Sequence, residues 1–235
     1  MARVTKFEVG DLVHCIKRGA FGHEIFHDQS DYWRFVRLLY LCNDEFQDTN
    51  LNKAEKTLKL FERPPHWPER KPLVDIMSWC AMPNHFHILL REKQVGGIGK
   101  FMQRLGGSIT MTFNTKYQNQ GSIFQSKYKP VLIIDDTHLY HLLPYINIKN
   151  VMELYPVGGL KGAFNDFDTA WEWAKNYQFS SLKTFALGTP SPILSMEAIQ
   201  YFNYPKPETE FKQQSQECIN LNLNKDTNGI PDTGE

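Results

Sequence analysis

The sequence predicts an α+β fold in which a ferredoxin-like antiparallel sheet carries helices on one face. Two apolar, β-rich segments at 73–82 and 85–91 are separated by a Pro-Asn pair, which indicates a β-hairpin. Apolar residues at helical spacing precede this hairpin at 28–41 and follow it at 98–116. With a further strand expected at each end, the order of elements becomes β-α-β-β-α-β.

The first half of the chain supplies a strand, a helix and an insertion. Residues 12–17 alternate weakly and are rich in β-formers, and an Arg-Gly pair ends this strand. The helix at 28–41 opens on Asp28, a residue type that caps helix N-termini. Residues 44–71 are polar and contain three prolines, which indicates an inserted hairpin or loop.

The second half supplies the last strand, a further helix and a tail. A short apolar strand is expected at 130–134, and Asp135 caps a helix that runs to about residue 150. Pro144 lies inside this helix, where a proline removes one backbone hydrogen bond and favours a kink. We therefore expect one domain at 1–190 and an acidic, flexible tail at 191–235, which is rich in Gln, Asn and Asp.

Composition excludes several classes of protein. Of the 235 residues, 41% are hydrophobic, which is enough for a packed core and argues against a disordered chain. There is no run of about 20 apolar residues, so we expect no contact with a membrane, and the N-terminus lacks the apolar region of a signal peptide. The four cysteines are scattered without a C-x-x-C pair, which favours reduced thiols in the cytoplasm over a disulfide scaffold.

The net charge is zero, from 26 basic and 26 acidic residues, but the charges are unevenly distributed. Residues 191–235 carry three basic and seven acidic side chains. Residues 91–130 carry one acidic side chain and seven basic ones, which are Arg91, Lys93, Lys100, Arg104, Lys116, Lys127 and Lys129. A basic segment of this kind favours contact with nucleic acid, and the alternative is a solvated surface with scattered charge.

A pair of histidines suggests a metal site. His85 and His87 flank one residue of a predicted strand, so their imidazoles point to the same face of the sheet. Two imidazoles roughly 6–7 Å apart along a strand can converge on one divalent ion. The alternative is two surface histidines on a half-exposed strand.

Tyr145 lies sixty residues further along, on the helix that Asp135 begins. A tyrosine hydroxyl is a weak nucleophile while it is protonated, because its ordinary pKa is about 10. A metal ion that polarises a phosphate makes the phosphorus easier to attack, so a weaker nucleophile suffices. The alternative is a core or capping tyrosine, since the chain contains ten tyrosines.

The segment 79–90, with the sequence WCAMPNHFHILL, resembles the signature of the REP-associated tyrosine transposases. These belong to the insertion-sequence-200-like, single-tyrosine HUH transposase superfamily. Shorter matches occur in the family's order at 18–32, 96–114, 121–129 and 145–146. The resemblance covers roughly residues 9–187, and the MPNHFH block with its ordered flanking matches is its most specific part.

The resemblance implies a ferredoxin-like catalytic domain and a metal-dependent activity on DNA. It implies that His85 and His87 bind Mg²⁺ or Mn²⁺. It further implies that Tyr145 attacks a phosphate of single-stranded DNA and forms a 5′-phosphotyrosine. The substrates implied are hairpin-forming palindromic repeats with a short adjoining single-stranded sequence.

The chain departs from the family pattern at one expected metal ligand. The family usually has Tyr-Ile-His-Leu-Asn-Pro at the nucleophile, whereas residues 145–150 are YINIKN. The asparagine four residues after the tyrosine is therefore replaced by Lys149, and an ammonium group has no acceptor for a metal. Three interpretations stay open. In the first, Pro144 distorts the helix and Asn147 or Asn150 is the metal ligand. In the second, Lys149 holds the phosphate as a point charge, and in the third, catalysis is lost. If the site is merely weakened, replacing Lys149 by Asn should strengthen it.

Candidate DNA contacts follow from the basic segment. Phosphate neutralisation by lysine and arginine gives a salt-dependent affinity for DNA. The candidates for phosphate contact are Arg91, Lys100, Arg104, Lys127, Lys129 and Lys149. Phe124 and Tyr128 are candidates for stacking on unpaired bases, with a place in the core as the alternative for each.

We expect a metal-dependent DNA strand transferase, located in the cytoplasm and associated with the nucleoid. One alternative is a nucleic-acid-binding descendant that has lost the chemistry, for which Lys149 is the motivating residue. Another is a metal-dependent phosphodiesterase that uses water and leaves Tyr145 idle. The resemblance is compatible with a homodimer that exchanges the tyrosine helix and with a monomer.

Overall fold

A computed structural model describes residues 6–47 and 59–227 of the chain. Within these residues four antiparallel strands form one sheet in the order β2-β3-β1-β4. Strand order and connections are those of a ferredoxin-like βαββαβ fold, which confirms the predicted fold class. The strands are β1 at Leu12–Arg18, β2 at Val74–Met82, β3 at His85–Glu92 and β4 at Lys129–Ile133.

Two long helices cover one face of the sheet. Helix α1 spans Gln29–Leu41, and the side chain of Asp28 accepts hydrogen bonds from its first turn, as predicted. Helix α2 spans Gly97–Tyr117, and the buried carboxylate of Glu92 accepts bonds from its first two backbone N–H groups. A carboxylate is favourable at this end because the helix dipole is positive there. The core lies between these helices and the sheet.

Residues 136–227 contain further helices on the opposite face, so helices cover both faces of the sheet and the prediction of helices on one face is wrong. The Nδ2 of Asn147, for example, donates to the Oγ of Ser78 on β2 over 2.8 Å. No helix in the described ranges is long and apolar enough to cross a bilayer. The helices are α3 at Asp136–Pro144, a π-helical turn at Tyr145–Lys149, α4 at Asn150–Glu153, α5 at Gly159–Asn165, α6 at Phe167–Ala174, α7 at Leu182–Leu187, α8 at Met196–Tyr201 and α9 at Glu208–Thr227.

The prediction of a flexible tail at 191–235 is wrong for the residues that the structure describes. Helices α8 and α9 pack on the domain, and Phe211 and Ile219 of α9 have no exposed surface. Apolar burial of this kind opposes disorder. Residues 228–235 of the predicted tail and 48–58 of the predicted insertion lie outside the described ranges. The described end of the insertion is anchored by an ion pair between Arg63 and Asp44.

We expect truncation of one core side chain in α9 to show that this helix is part of the domain. Phe211→Ala should lower the free energy of unfolding by about 3–5 kcal/mol, because the fully buried ring packs beside Phe185 and Trp171. Leu221→Ala is the matched control on the same helix, since Leu221 is 48% exposed and its loss should change stability by less than about 0.5 kcal/mol. Equal, small effects in urea unfolding would show that α9 does not pack as described.

Candidate active site

A cleft of about 820 Å³ opens on the sheet face opposite α1. Its walls come from β1, the β2–β3 hairpin, the segment before β4, and the π-helical turn with α4. It is lined by Ile16, Arg18, Gly22, Glu24, Met82, Pro83, Asn84, His85, His87, Gln125, Ser126, Lys127, Lys129, Tyr145, Lys149, Asn150, Glu153 and Leu154. The cleft thus contains both predicted histidines and the predicted tyrosine.

Strand alternation places the two histidines in the cleft. Phe86, the residue between them, points to the other face, where its ring lies 5.0 Å from that of Phe35 in α1. His85 and His87 therefore share the cleft face, as predicted, with ring centroids 4.9 Å apart. Both are buried, so their imidazoles are held in the wall of the cleft rather than in open solvent.

Hydrogen bonds fix the orientation of both imidazoles. The Nδ1–H of His85 donates to the Oδ1 of Asn84 over 2.6 Å. The Nδ1 of His87 lies 2.9 Å from the Nε2 of His14. When His87 donates from Nδ1 to His14, its Nε2 keeps a lone pair, and this buried Nε2 has no hydrogen-bond partner in the described part of the chain. Metal-binding histidines usually have one nitrogen held in this way and the other available.

His14 is a site residue that sequence reasoning missed. It lies on β1, and its ring stacks on that of His87 with centroids 5.1 Å apart. Burial lowers the pKa of His14 to about 3, with help from the positive charges of His138 and Lys129. Burial also lowers the pKa of His87, together with the neighbouring His14, among others. Both rings are therefore neutral near pH 7, which is the form that ligates metals.

Tyr145 lies beside the histidines of its own chain. Its half-buried ring meets the ring of His87 edge-on, with centroids 5.6 Å apart, and the ring of His14 at 6.3 Å. Helix α3 leads to it and is capped by Asp135, whose carboxylate accepts from the backbone N–H of His138 over 2.7 Å. The predicted cap and helix are therefore present, and Tyr145 lies with the histidines in the cleft, while its role as nucleophile stays a prediction.

Pro144 changes the backbone just before Tyr145. Proline has no N–H, so the carbonyl of Tyr140 loses its usual intrahelical donor. The side chain of Gln214 from α9 donates to this carbonyl instead. Immediately after Pro144 the helix widens, and the backbone N–H of Asn150 bonds to the carbonyl of Tyr145 in an i→i+5 pattern. The predicted distortion is thus a π-helical turn rather than a simple kink.

The π-helical turn places the two candidate asparagines in different surroundings. Asn150 follows Tyr145 by one turn, as residue i+4 does in an α-helix, and its side chain lines the cleft. It is buried, and its Nδ2 has no hydrogen-bond partner among the described residues. Asn147 instead bonds to Ser78 and to the Oγ of Ser181 in the core, outside the cleft lining.

Lys149 also borders the cleft, but its ammonium group is already engaged. Its Nζ lies 2.6 Å from the carboxylate of Glu153 and 4.8 Å from the centroid of the Tyr145 ring. A charged ammonium cannot ligate a metal. It does place a positive charge next to the tyrosine, where a phosphate would arrive.

The donor atoms of the cleft fit a metal ion only in part. The described ranges contain no group of three or more His, Cys, Asp or Glu side chains arranged to hold a metal. His85, His87 and Asn150 together offer two imidazole nitrogens and, after rotation of the amide, one oxygen. Mg²⁺ and Mn²⁺ prefer oxygen ligands, so a phosphate and water would have to complete the coordination shell.

The predicted phosphate-contact residues separate into two groups. Lys127, Lys129 and Lys149 line the cleft, and Arg18 joins them there. Lys100 is exposed on α2, outside the cleft lining. Arg91 bonds to Asp75, and Arg104 bonds to backbone carbonyls at 44–46, so both guanidinium groups hold the fold together. Any DNA contact by these three residues remains a prediction.

Of the two aromatic stacking candidates, Phe124 belongs to the core and Tyr128 packs against it. Phe124 is only 5% exposed, and the ammonium group of Lys17 covers its ring at 4.4 Å from the centroid. The stacking prediction is therefore wrong for Phe124, because the ring is almost wholly buried. Tyr128 is half-buried against the core, and burial raises its pKa to about 12.

We expect the buried histidines to make stability depend on pH in the metal-free protein. The pKa of His14 is lower in the folded chain than in the unfolded chain, so its contribution is complete above pH 6.5 and is lost as pH falls toward 3. The free energy of unfolding should fall by up to about 1.4 kcal/mol per pH unit for each such histidine. Urea unfolding at pH 7, 6 and 5 measures this slope. His14→Gln should reduce the slope and exposed His23→Gln should not, so equal slopes in all three proteins would contradict a buried neutral His14.

Part of the chain is similar to a known protein family. Residues 68–149 match the family model described as "Transposase IS200 like". No curated protein matches the chain. One similar solved structure is a REP-associated tyrosine transposase bound to a REP hairpin, at 14% identity and a TM-score of 0.42, over 83% of this chain and 90% of that chain. The matched span includes the histidine pair and Tyr145, so the resemblance of this segment to the IS200-like transposases, stated from the sequence, is confirmed.

Proposed function

We propose that this protein is a metal-dependent transposase-like enzyme that cleaves and transfers single-stranded DNA beside hairpin-forming repeats. One observation carries the proposal. A tyrosine and a pair of histidines, oriented by hydrogen bonds, meet in a single cleft, with the rings of Tyr145 and His87 5.6 Å apart. The match of residues 68–149 to the IS200-like transposase model makes DNA the expected substrate. The basic residues that line the same cleft suit a phosphate backbone.

The chemistry assigned to Tyr145 is a phosphoryl transfer. Its Oη attacks the phosphorus, the new P–O bond forms to tyrosine, and the P–O3′ bond breaks. The phenolic proton goes to solvent, the leaving 3′-oxygen takes up a proton, and the DNA 5′-phosphate stays on the enzyme. The phosphodiester energy is thereby kept for rejoining, when a 3′-hydroxyl attacks the phosphotyrosine.

His85, His87 and Asn150 are the residues proposed to hold Mg²⁺ or Mn²⁺. When bound, such an ion polarises the scissile phosphate and so compensates for the weak nucleophilicity of a phenol. Asn84 and His14 keep the imidazoles in position through their Nδ1 bonds. Arg18, Lys127 and Lys129 bind the flanking phosphates. Because Tyr145 lies beside the histidines of its own chain, one protomer contains a complete set of these groups.

A nucleic-acid-binding protein without catalysis is the second candidate, and Lys149 is the observation that favours it. The family asparagine is absent from that position, and the lysine is paired with Glu153. A protein of this kind binds hairpin DNA with a steep salt dependence and forms no covalent product. Metal-dependent turnover without a covalent product would instead indicate a water-using phosphodiesterase.

We expect a denaturation-resistant protein–DNA adduct when the protein meets labelled hairpin DNA with single-stranded flanks and Mn²⁺. Tyr145→Phe should abolish the adduct, since it removes the attacking oxygen and leaves the ring. Tyr140→Phe is the matched control, because it removes a hydroxyl from the preceding turn, where it contacts Glu217, and should leave the adduct intact. Denaturing electrophoresis measures both. An adduct that persists in Tyr145→Phe would reject the assigned nucleophile.

We expect Asn150, and not residue 149, to control metal affinity. Asn150→Ala should weaken Mn²⁺ binding by about tenfold or more, whereas Lys149→Asn should leave it nearly unchanged, because the π-helical turn directs residue 150 to the cleft. Asn147→Ala should lower stability without a specific effect on the metal, since it removes core hydrogen bonds. Calorimetric titration of Mn²⁺ into the DNA-free protein distinguishes these outcomes. A large gain in Lys149→Asn would place the ligand at 149 instead.

A further inference from the structure

Phe21 is displayed to solvent in an unusual way. Its side chain is 94% exposed, more than any other large apolar side chain that the structure describes. Its φ of 54° and ψ of 23° lie in the left-handed region, which residues other than glycine rarely adopt. This large apolar ring has a disfavoured backbone conformation and no contacts that stabilise it in the core. Folding alone does not explain such a feature.

The turn that carries Phe21 is rigidly anchored. The N–H of Gly19 donates to the carbonyl of Asn84 over 2.7 Å, and the N–H of Ala20 donates to the carbonyl of Ile123 over 2.9 Å. Gly19 is packed so closely that a Cβ there would lie 2.1 Å from the carbonyl oxygen of His23. The ring of Phe21 is therefore held out by a fixed support rather than by a loose loop.

The same turn forms one edge of the cleft. Gly22, the next residue, lines the cleft, and its carbonyl accepts a hydrogen bond from the Nδ2 of Asn84 over 3.3 Å. The Oδ1 of that same asparagine accepts from the Nδ1 of His85. Phe21 is thus connected to the histidine pair through one side chain, and it stands at the rim of the cleft.

We propose that Phe21 is a stacking platform for one unpaired base of the single-stranded DNA next to the scissile phosphate. This inference rests on the proposed function for its substrate. Basic residues in the cleft suit the backbone, and an exposed aromatic ring at the rim suits a base, which is the combination that binds single strands. Every base has a π-face, so such a platform positions the strand without selecting a sequence. The ring is also uncharged, so its contribution to affinity is independent of salt.

The test compares variants of Phe21 in equilibrium binding to two DNA probes. One probe is a hairpin with single-stranded flanks, and the other is the same hairpin with blunt ends. Phe21→Ala and Phe21→Leu should weaken binding to the flanked hairpin by about 5- to 100-fold, whereas Phe21→Trp should retain it, because only tryptophan keeps a π-face. Tyr201→Ala is the matched control, since Tyr201 is 75% exposed and does not line the cleft. Binding to the blunt hairpin should be unchanged in all variants.

A spectroscopic readout locates the stacked base. With 2-aminopurine placed at successive flank positions, wild-type protein should quench one position, and Phe21→Ala should abolish that quenching. Phe21→Gly separates binding from folding, because glycine accepts the left-handed conformation: its midpoint of thermal unfolding should not fall, while its affinity for the flanked hairpin should.

The outcomes distinguish this inference from the proposed function. If wild type and Phe21→Ala bind the flanked hairpin equally well and the adduct forms normally, the stacking role of Phe21 is rejected. The proposed strand transferase activity is then retained. Loss of flank binding in Phe21→Ala without any adduct in wild type supports the platform and rejects the strand transferase. Absence of DNA binding by the wild-type protein overturns both.

Discussion

The alternation of side chains along β3 is the constraint on which the rest of the structure depends. β3 is a central strand, so one of its faces must fill the core and the other is available for a site. Phe86 and Ile88 fill the core beneath α1 and α2 and are fully buried. His85 and His87 alternate with these two residues along the strand and therefore face the cleft. A shift of one residue in the pairing with β1 would bury both imidazoles against the helices and expose phenylalanine in the cleft.

A second constraint comes from the absence of one N–H group. Pro144 leaves the carbonyl of Tyr140 without its helical donor, and Gln214 of α9 replaces that donor from another part of the chain. The helix then closes a wider turn, which advances the register by one residue and brings Asn150 to the cleft behind Tyr145. The C-terminal helices are therefore part of the support of the candidate nucleophile. A hydrogen bond of this kind contributes about 0.5–1.5 kcal/mol, so this contact is one part of that support.

The sequence could predict the parts of the fold that depend on local pattern. The hairpin, both long helices and the shared face of the two histidines follow from spacing within one element or two neighbouring ones. His14 could not be found in this way, because its place depends on the register between β1 and β3, which are far apart in the chain. The packing of α9 could not be predicted from its composition. Gln214 and Ser215 are polar but buried on the packed face of this helix, so a count of apolar residues underestimates how much of α9 is buried. The π-helical turn likewise depends on a tertiary contact that no local pattern contains.

The register of that turn changes what Lys149 means for the proposed chemistry. In a regular α-helix a lysine four residues after the tyrosine would occupy the ligand position, and a charged ammonium there would exclude a metal. In the π-helical turn the residue that lies one turn after Tyr145 is Asn150, while Lys149 pairs with Glu153 and lies over the Tyr145 ring. In the proposed mechanism the lysine is a positive charge beside Tyr145, where it would attract the phosphate instead of displacing a ligand. A substitution that looks like a lost ligand in the sequence is, in this geometry, compatible with an intact metal shell and a more basic phosphate site.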